Sequence, residues 1–174
     1  DVVASKRTPT RWGERTGGDH IIVRQKFMPD KFNCASLCYD EYSNEMQAYP
    51  SDTKNTASIE DALLEFKGPD HFIITFRADN AEEIKAALKL FKAHHDSSVP
   101  NRLSSKGFVE VRVRIISEGA RCVLYGSGFP VLAWPYALEY WCLSHNMLKE
   151  YAYPDGTVST PYKRKHGVEC NAPQ

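Results

Sequence analysis

The chain has 174 residues, 42% of them hydrophobic, with 22 Lys plus Arg balanced by 22 Asp plus Glu. That length supports one domain with a real core and excludes two full-sized ones. A formal charge of zero excludes a chain that is polycationic as a whole, so any nucleic-acid surface has to be local.

The opening DVVASKRTPTRWGERTGG is polar and punctuated by Pro9 and Gly17-Gly18, and it reads as an N-terminal arm over 1–18, with the fold starting near Asp19. HIIVRQKF (20–27), CASLCYDEY (34–42) and EMQAYP (45–50) are rich in β-branched and aromatic residues and are separated by turn-like segments, the pattern of an antiparallel meander. ASIEDALLEF (57–66) puts Ile59, Leu63 and Phe66 on one face, offers Thr56 or Ser58 as a cap, and closes at Gly68-Pro69. HFIITF (71–76) is a continuous apolar run of buried-strand length, and AEEIKAALKLFKA (81–93) follows as a second helix. The order βββαβα predicts a mixed sheet with helices on its faces.

GFVEVRVRII (107–116) supports two readings. Its apolar residues at 109, 111, 113 and 115 alternate as in a strand, whereas Val109, Val113, Ile116, Ala120 and Val123 keep helical spacing through SEGARCVL. PVLAWPYALEYWCLSHNML (130–148) reads as a core helix with Pro135 near its start. A core over 19–149 is expected, followed by an irregular tail over 150–174 that carries PDG and TP turn signals and the basic cluster Lys163-Arg164-Lys165.

Cys34, Cys38, Cys122, Cys142 and Cys170 are an odd, scattered set in apolar surroundings such as ALEYWCL, as reduced core thiols are. Neither Cys34/Cys38 nor His166/Cys170 falls into a paired CxxC arrangement, so no structural zinc is expected. No apolar run approaches bilayer length and no signal segment opens the chain, so a soluble, intracellular domain is expected. The sequence opens on Asp1 rather than Met, which implies a missing upstream segment.

Three carboxylates stand out. Asp79 ends a buried strand, where α/β folds place functional groups, although Asp79-Asn80 also reads as the cap of the next helix. Asp19 stands at the threshold of the first strand, and Glu110 sits among valines, where an unpaired carboxylate is costly. A shared metal would account for all three.

These residues lie in stretches that resemble, in order, the catalytic core of copia-type retrotransposon integrases, within the retroviral integrase superfamily. WGERTGGDH resembles its first-strand motif, CYDEYSNEMQAYP its second and third strands, and FRADNAEE its "TDN..EF" motif. SSVPNRLSSKGFVEVRVRIISEGARCVLYGSGFPVLAWPYALEYWCLSHNML resembles the long stretch that carries "NG.AER", and TVSTPYKRKHGVECNAP resembles the "TPYE..FGK" tail. The likeness runs over about residues 11–173.

The resemblance implies an RNase H-like α/β fold, with a mixed five-stranded sheet flanked by helices, and it favours a helix over 107–125. It makes Asp19, Asp79 and Glu110 the catalytic, metal-binding triad. In this chemistry they hold two Mg²⁺ (or Mn²⁺) ions roughly 3.5–4 Å apart for in-line phosphoryl transfer. DNA cleavage and strand transfer are the implied activity, DNA ends and target DNA the implied partners, homo-oligomerisation the implied state and the nucleus the implied compartment.

His95, Pro100 and Arg102 match family positions, and Lys106, Arg102, Arg112, Arg114 and Arg121 are the candidate phosphate contacts; the arginines read equally well as a solvated helix face. Lys106-Gly107, Val111, Ala78 and Ile84 depart from the family pattern. With zero net charge, they support a second expectation: a domesticated, vestigial integrase fold acting as a structural subunit of a larger assembly, with an organelle as a possible compartment. Trp12, Tyr151, Tyr153 and Tyr162 would then be exposed interface residues.

Overall fold

The computed structural model describes residues 7–23, 32–97 and 103–170, with the backbone alone at 103–108. Strands β1 (Thr16–Ile22), β2 (Cys34–Asp40) and β3 (Met46–Ser51) form the expected antiparallel meander. β4 (Thr75–Ala78) and β5 (His94–Ser97) extend it in parallel on the far side of β1, giving the order β3-β2-β1-β4-β5. This mixed five-stranded sheet is flanked by helices, the RNase H-like arrangement expected from the sequence.

Helices α1 (Thr56–Lys67) and α2 (Glu82–Leu90) cover one face. Their Ile59, Leu63, Phe66, Ile84 and Leu88 pack with Cys38, Phe76 and Ala78 of the sheet. Asn55, rather than Thr56 or Ser58, caps α1, its side chain accepting from the Ser58 amide at 2.8 Å. On the other face lie α3 (Leu103–Ser127) and α4 (Trp134–Leu148), burying Val109, Ile116, Ala120, Leu138 and Cys142 against Ala35, Leu37, Tyr39, Met46 and Ala48. Asn146 of α4 completes the edge of β3, accepting from the Met46 amide at 3.0 Å and donating to its carbonyl at 2.8 Å.

The ambiguous 107–116 segment is helical. A strand would align 109, 111, 113 and 115, but the buried residues are Val109, Ile116 and Ala120, with Val113 and Val123 packed beside them. The sheet presents a broad apolar face, and a 25-residue helix covers more of it than a short strand could.

Two expectations about the first strand are corrected. Asp19 lies inside β1, not at its threshold, because the strand begins at fully buried Thr16. Gly17 and Gly18 belong to that strand: a Cβ on Gly17 would strike the Tyr39 hydroxyl and lie 2.7 Å from the Arg77 carbonyl, and one on Gly18 would strike the Leu37 carbonyl. Close approach, not a turn, requires glycine there.

The expected irregular tail is partly ordered, as the short pair β6 (Tyr151–Ala152) and β7 (Val158–Ser159) and the helix α5 (Pro161–His166). Trp12 and Tyr153, expected at the surface, are 6% exposed. The cause is α5: Lys165 Nζ pairs with Glu45 at 2.9 Å, donates to the Phe66 carbonyl at 2.8 Å and sits 4.5 Å from the Trp12 ring centre. Trp12 Nε1 donates to the same Glu45 at 2.8 Å, and the Tyr153 hydroxyl donates to the Ser43 carbonyl at 2.6 Å. Arg164 lies over the Tyr42 and Tyr153 rings, so two of the three basic residues are absorbed by packing. No helix among the described residues is long and apolar enough to cross a membrane.

Candidate active site

β1 and β4 are parallel, with Thr16 opposite Phe76 and Gly17 opposite Arg77. The same register, continued two residues, sets Asp19 opposite Asp79. Side chains alternate along a strand. Asp19 therefore shares a face with Ile21, which packs into the α3–α4 cluster. Phe76 and Ala78 point into the α1–α2 cluster, which turns Arg77 toward the α3 side, and Asp79 follows directly after the strand. Glu110 follows buried Val109 on α3 and is itself exposed. Asp19 and Asp79 thus stand at the same end of two neighbouring strands, and Glu110, on the helix that packs on β1, is near enough for its charge to act on Asp19.

Asp19 is half-buried, and its pKa is raised. Burial is the largest cause; the Asp79 and Glu110 carboxylates push the same way, while the His20 amide, donating to Oδ1 at 2.7 Å, and Lys54 oppose them. Like charges felt by one another in a partly desolvated place favour either a proton or a cation. Among the described residues, however, no three His, Cys, Asp or Glu side chains stand close enough together to form a ready-made ligand set. Asp79 and Glu110 are exposed, so their side chains have room to turn.

Asp79 also shapes the turn that follows it. Its Oδ1 accepts from the Ala81 amide at 3.4 Å, and Ala81 is the cap residue of α2. The α2 cap position carries no side-chain cap bond, so neither Asp79 nor Asn80 caps the helix as expected; Asp79 restrains the turn just before it. Its carbonyl is 3.1 Å from Nε2 of His95 on β5. On the opposite face of the sheet from Asp19, His20 packs its Nε2 3.0 Å from the Ser36 hydroxyl and leaves a buried Nδ1 with no hydrogen-bond partner among the described residues. Its pKa falls to about 4, mainly through burial and then through Lys54.

The candidate phosphate contacts separate. Arg102 lies outside the described residues, and for Lys106 only the backbone is described. Arg112 is half-buried and donates to Asn44 at 3.3 Å, so its charge is engaged within the fold. Arg114 and Arg121 are exposed on α3. Lys54, Arg77, His95 and Asp96 were not assigned to the site from the sequence. Arg77 grips one Asp96 oxygen through Nε at 3.0 Å and Nη2 at 2.9 Å and also reaches Glu41 at 3.5 Å. β5 reads HHDS, which has no apolar pattern to reveal a strand; only the five-stranded sheet implied by the family likeness calls for a further strand.

No protein-family model matches the sequence, and no curated protein does. Solved structures do match. A chain of the simian T-cell lymphotropic virus intasome, determined by cryoEM in complex with the PP2A regulatory subunit B56 gamma, aligns with a TM-score of 0.70 at 15% identity, over 95% of this chain and 59% of that one. The HTLV-2 integrase catalytic core domain in complex with magnesium, in its trimeric form, aligns with a TM-score of 0.63 at 16% identity, over 90% of this chain and 99% of that one. The fold is that of a retroviral integrase catalytic core. The BIV integrase core gives a TM-score of 0.60 at 16% identity, over 87% of this chain and 92% of that one. The chain thus spans about three fifths of the intasome chain and nearly all of the isolated integrase cores.

Proposed function

We propose that the chain is the core of an integrase-type polynucleotidyl transferase of the copia-like branch, cleaving DNA ends and joining them to target DNA. The observation that supports this reading is the register that sets Asp19 opposite Asp79 on neighbouring parallel strands, with Glu110 close enough for its charge, like that of Asp79, to act on half-buried Asp19. The in-order motif resemblance supports the same branch.

The donor set suits a hard divalent cation such as Mg²⁺ or Mn²⁺: it offers carboxylate oxygens alone, and half-buried Asp19 feels the charges of both Asp79 and Glu110. Asp19, Asp79 and Glu110 would hold it, and when bound it would activate an attacking oxygen and stabilise a leaving one. Asp19 is the fixed member, held by the β1 ladder and the His20 amide. Asp79 and Glu110 are the adjustable members, since both are exposed. Arg114 and Arg121 extend the site along α3 as phosphate contacts. The HTLV-2 core has been solved in dimeric and trimeric forms, and self-association is part of the proposal here.

Calorimetric titration with Mg²⁺ or Mn²⁺ tests the site. Binding in the millimolar range typical of open carboxylate sites is expected, lost in Asp79→Asn. Absent binding, or binding indifferent to Asp79, would refute it.

A second reading has its own support. The three carboxylates are not a preassembled ligand set among the described residues, Val111, Ala78 and Ile84 depart from the family pattern, and the net charge is zero. In that reading the chain is a vestigial integrase fold within a larger protein assembly. Native purification separates the two: recovery only in a stoichiometric complex, without strand transfer, favours the vestigial subunit, and a free oligomer active on DNA ends excludes it.

A further inference from the structure

β5 carries no carboxylate of the triad, yet it is fastened to the strand that delivers Asp79 from both faces. On one face Arg77 of β4 grips Asp96 through two nitrogens at 3.0 and 2.9 Å. On the other, His95 reaches past its register partner Phe76 to the Asp79 carbonyl, 3.1 Å from Nε2. A carbonyl only accepts, so the ring donates from Nε2–H. The two contacts differ in what they hold. Arg77–Asp96 ties strand to strand within the paired register, whereas His95 ties β5 to the first residue beyond β4, where ladder hydrogen bonds have ended and Asp79 begins the turn into α2. In that turn Asp79 has one further restraint of its own, the 3.4 Å bond from the Ala81 amide to its carboxylate. A bond of 3.4 Å is near the limit of useful strength.

We propose that His95 is a positioning residue for Asp79: its hydrogen bond to the Asp79 carbonyl fixes the turn so that the carboxylate is presented toward Asp19. The metal-binding consequence rests on the integrase reading above; the structural role does not. Because Arg77 and Asp96 hold β5 independently, loss of the His95 contact frees the turn without detaching the strand.

The test uses the full chain, His95→Ala and His95→Gln, whose amide nitrogen sits close to where Nε2 was. Amide hydrogen exchange at Ala81, whose amide donates to the Asp79 carboxylate, is measured first. One lost hydrogen bond, worth roughly 1 kcal/mol, corresponds to about fivefold faster exchange in His95→Ala; exchange in the centre of α2 stays unchanged, and His95→Gln restores most of the protection. Unchanged exchange at Ala81 overturns the proposal, as does acceleration spread over the whole of β5, which would make His95 a strand residue only. Mn²⁺ titration of the same proteins follows. Affinity about fivefold weaker in His95→Ala and recovered in His95→Gln extends the positioning role to the site. If Asp79→Asn abolishes Mn²⁺ binding while His95→Ala leaves it intact, positioning is refuted and the integrase reading stands. If the wild-type chain binds no Mn²⁺, the integrase reading fails, and hydrogen exchange alone decides the role of His95.

Discussion

Replacing Lys165 with Met should destabilise the protein far more than the loss of a tail lysine ordinarily would. Lys165 and Glu45 side chains are each 6% exposed, and the ammonium also donates to the Phe66 carbonyl at 2.8 Å and lies 4.5 and 5.3 Å from the Trp12 and Phe66 ring centres. Met retains the apolar stem but leaves Glu45 a buried charge whose remaining side-chain donors are Trp12 Nε1 at 2.8 Å and Gln47 Nε2 at 3.4 Å. Removing one partner of a buried pair costs about 3–5 kcal/mol. At about 2–4 °C per kcal/mol for a domain of this size, Tm should fall by about 6–20 °C. Denaturant unfolding of Lys165→Met, Glu45→Gln and the double variant should show that the double variant loses at least 1.5 kcal/mol less than the sum of the singles, as expected for groups in direct contact. A loss below 1 kcal/mol in Lys165→Met, or additive losses, would refute the docking of α5 against Trp12 and the end of α1.

Ile116→Ala should cost about 2–5 kcal/mol in chemical denaturation, because Ile116 is 1% exposed and faces the sheet, whereas exposed Arg121→Ala should stay within about 0.5 kcal/mol; equal effects would contradict the register of α3. Gly17→Ala should lower stability by about 1–3 kcal/mol, since the added methyl meets the Tyr39 hydroxyl and the Arg77 carbonyl, and a neutral result would show that β1 and β4 can separate freely at Asp19's end of the chain. Asp40 is 1% exposed and burial pushes its pKa up to about 6, against the hydrogen bonds it accepts from Gly13 and Ser43. A pKa raised above the unfolded value means a contribution that is full below about pH 4 and is lost as pH rises through about 6, by up to about 3 kcal/mol. Asp40→Asn should therefore remove a downward slope in stability between pH 4 and 6, and an identical pH profile in wild type and variant would contradict the assignment.

The sequence carried the fold well where burial is periodic. Ile59, Leu63 and Phe66 announced α1, and the quoted motifs fall on β1, on β2 and β3, on β4 and α2, and on α3 and α4 in that order. It was less informative where structure comes from long-range contact. HHDS has no strand pattern of its own and becomes β5 by pairing with β4. Lys165 reads as a solvated basic residue until the Glu45 that compensates it, far away in the chain, is placed beside it. Gly17-Gly18 reads as the end of a polar arm unless the Tyr39 and Leu37 atoms that crowd them are known. The valine-rich start of α3 satisfies two periods at once, and only the apolar face of the sheet below decides between them. His95 matched a family position, but its bond to the Asp79 carbonyl depends on a parallel register that spacing alone does not specify.

The central claim, that Asp19, Asp79 and Glu110 work together in phosphoryl transfer, is tested most directly by disintegration of a branched DNA substrate in Mn²⁺, a reaction that needs the core but not accessory domains. The wild-type chain is expected to reseal the branched substrate, and Asp79→Asn and Glu110→Gln to fall to background while melting within a few degrees of wild type. No activity in the folded wild-type chain, or activity that survives in Asp79→Asn, would contradict it.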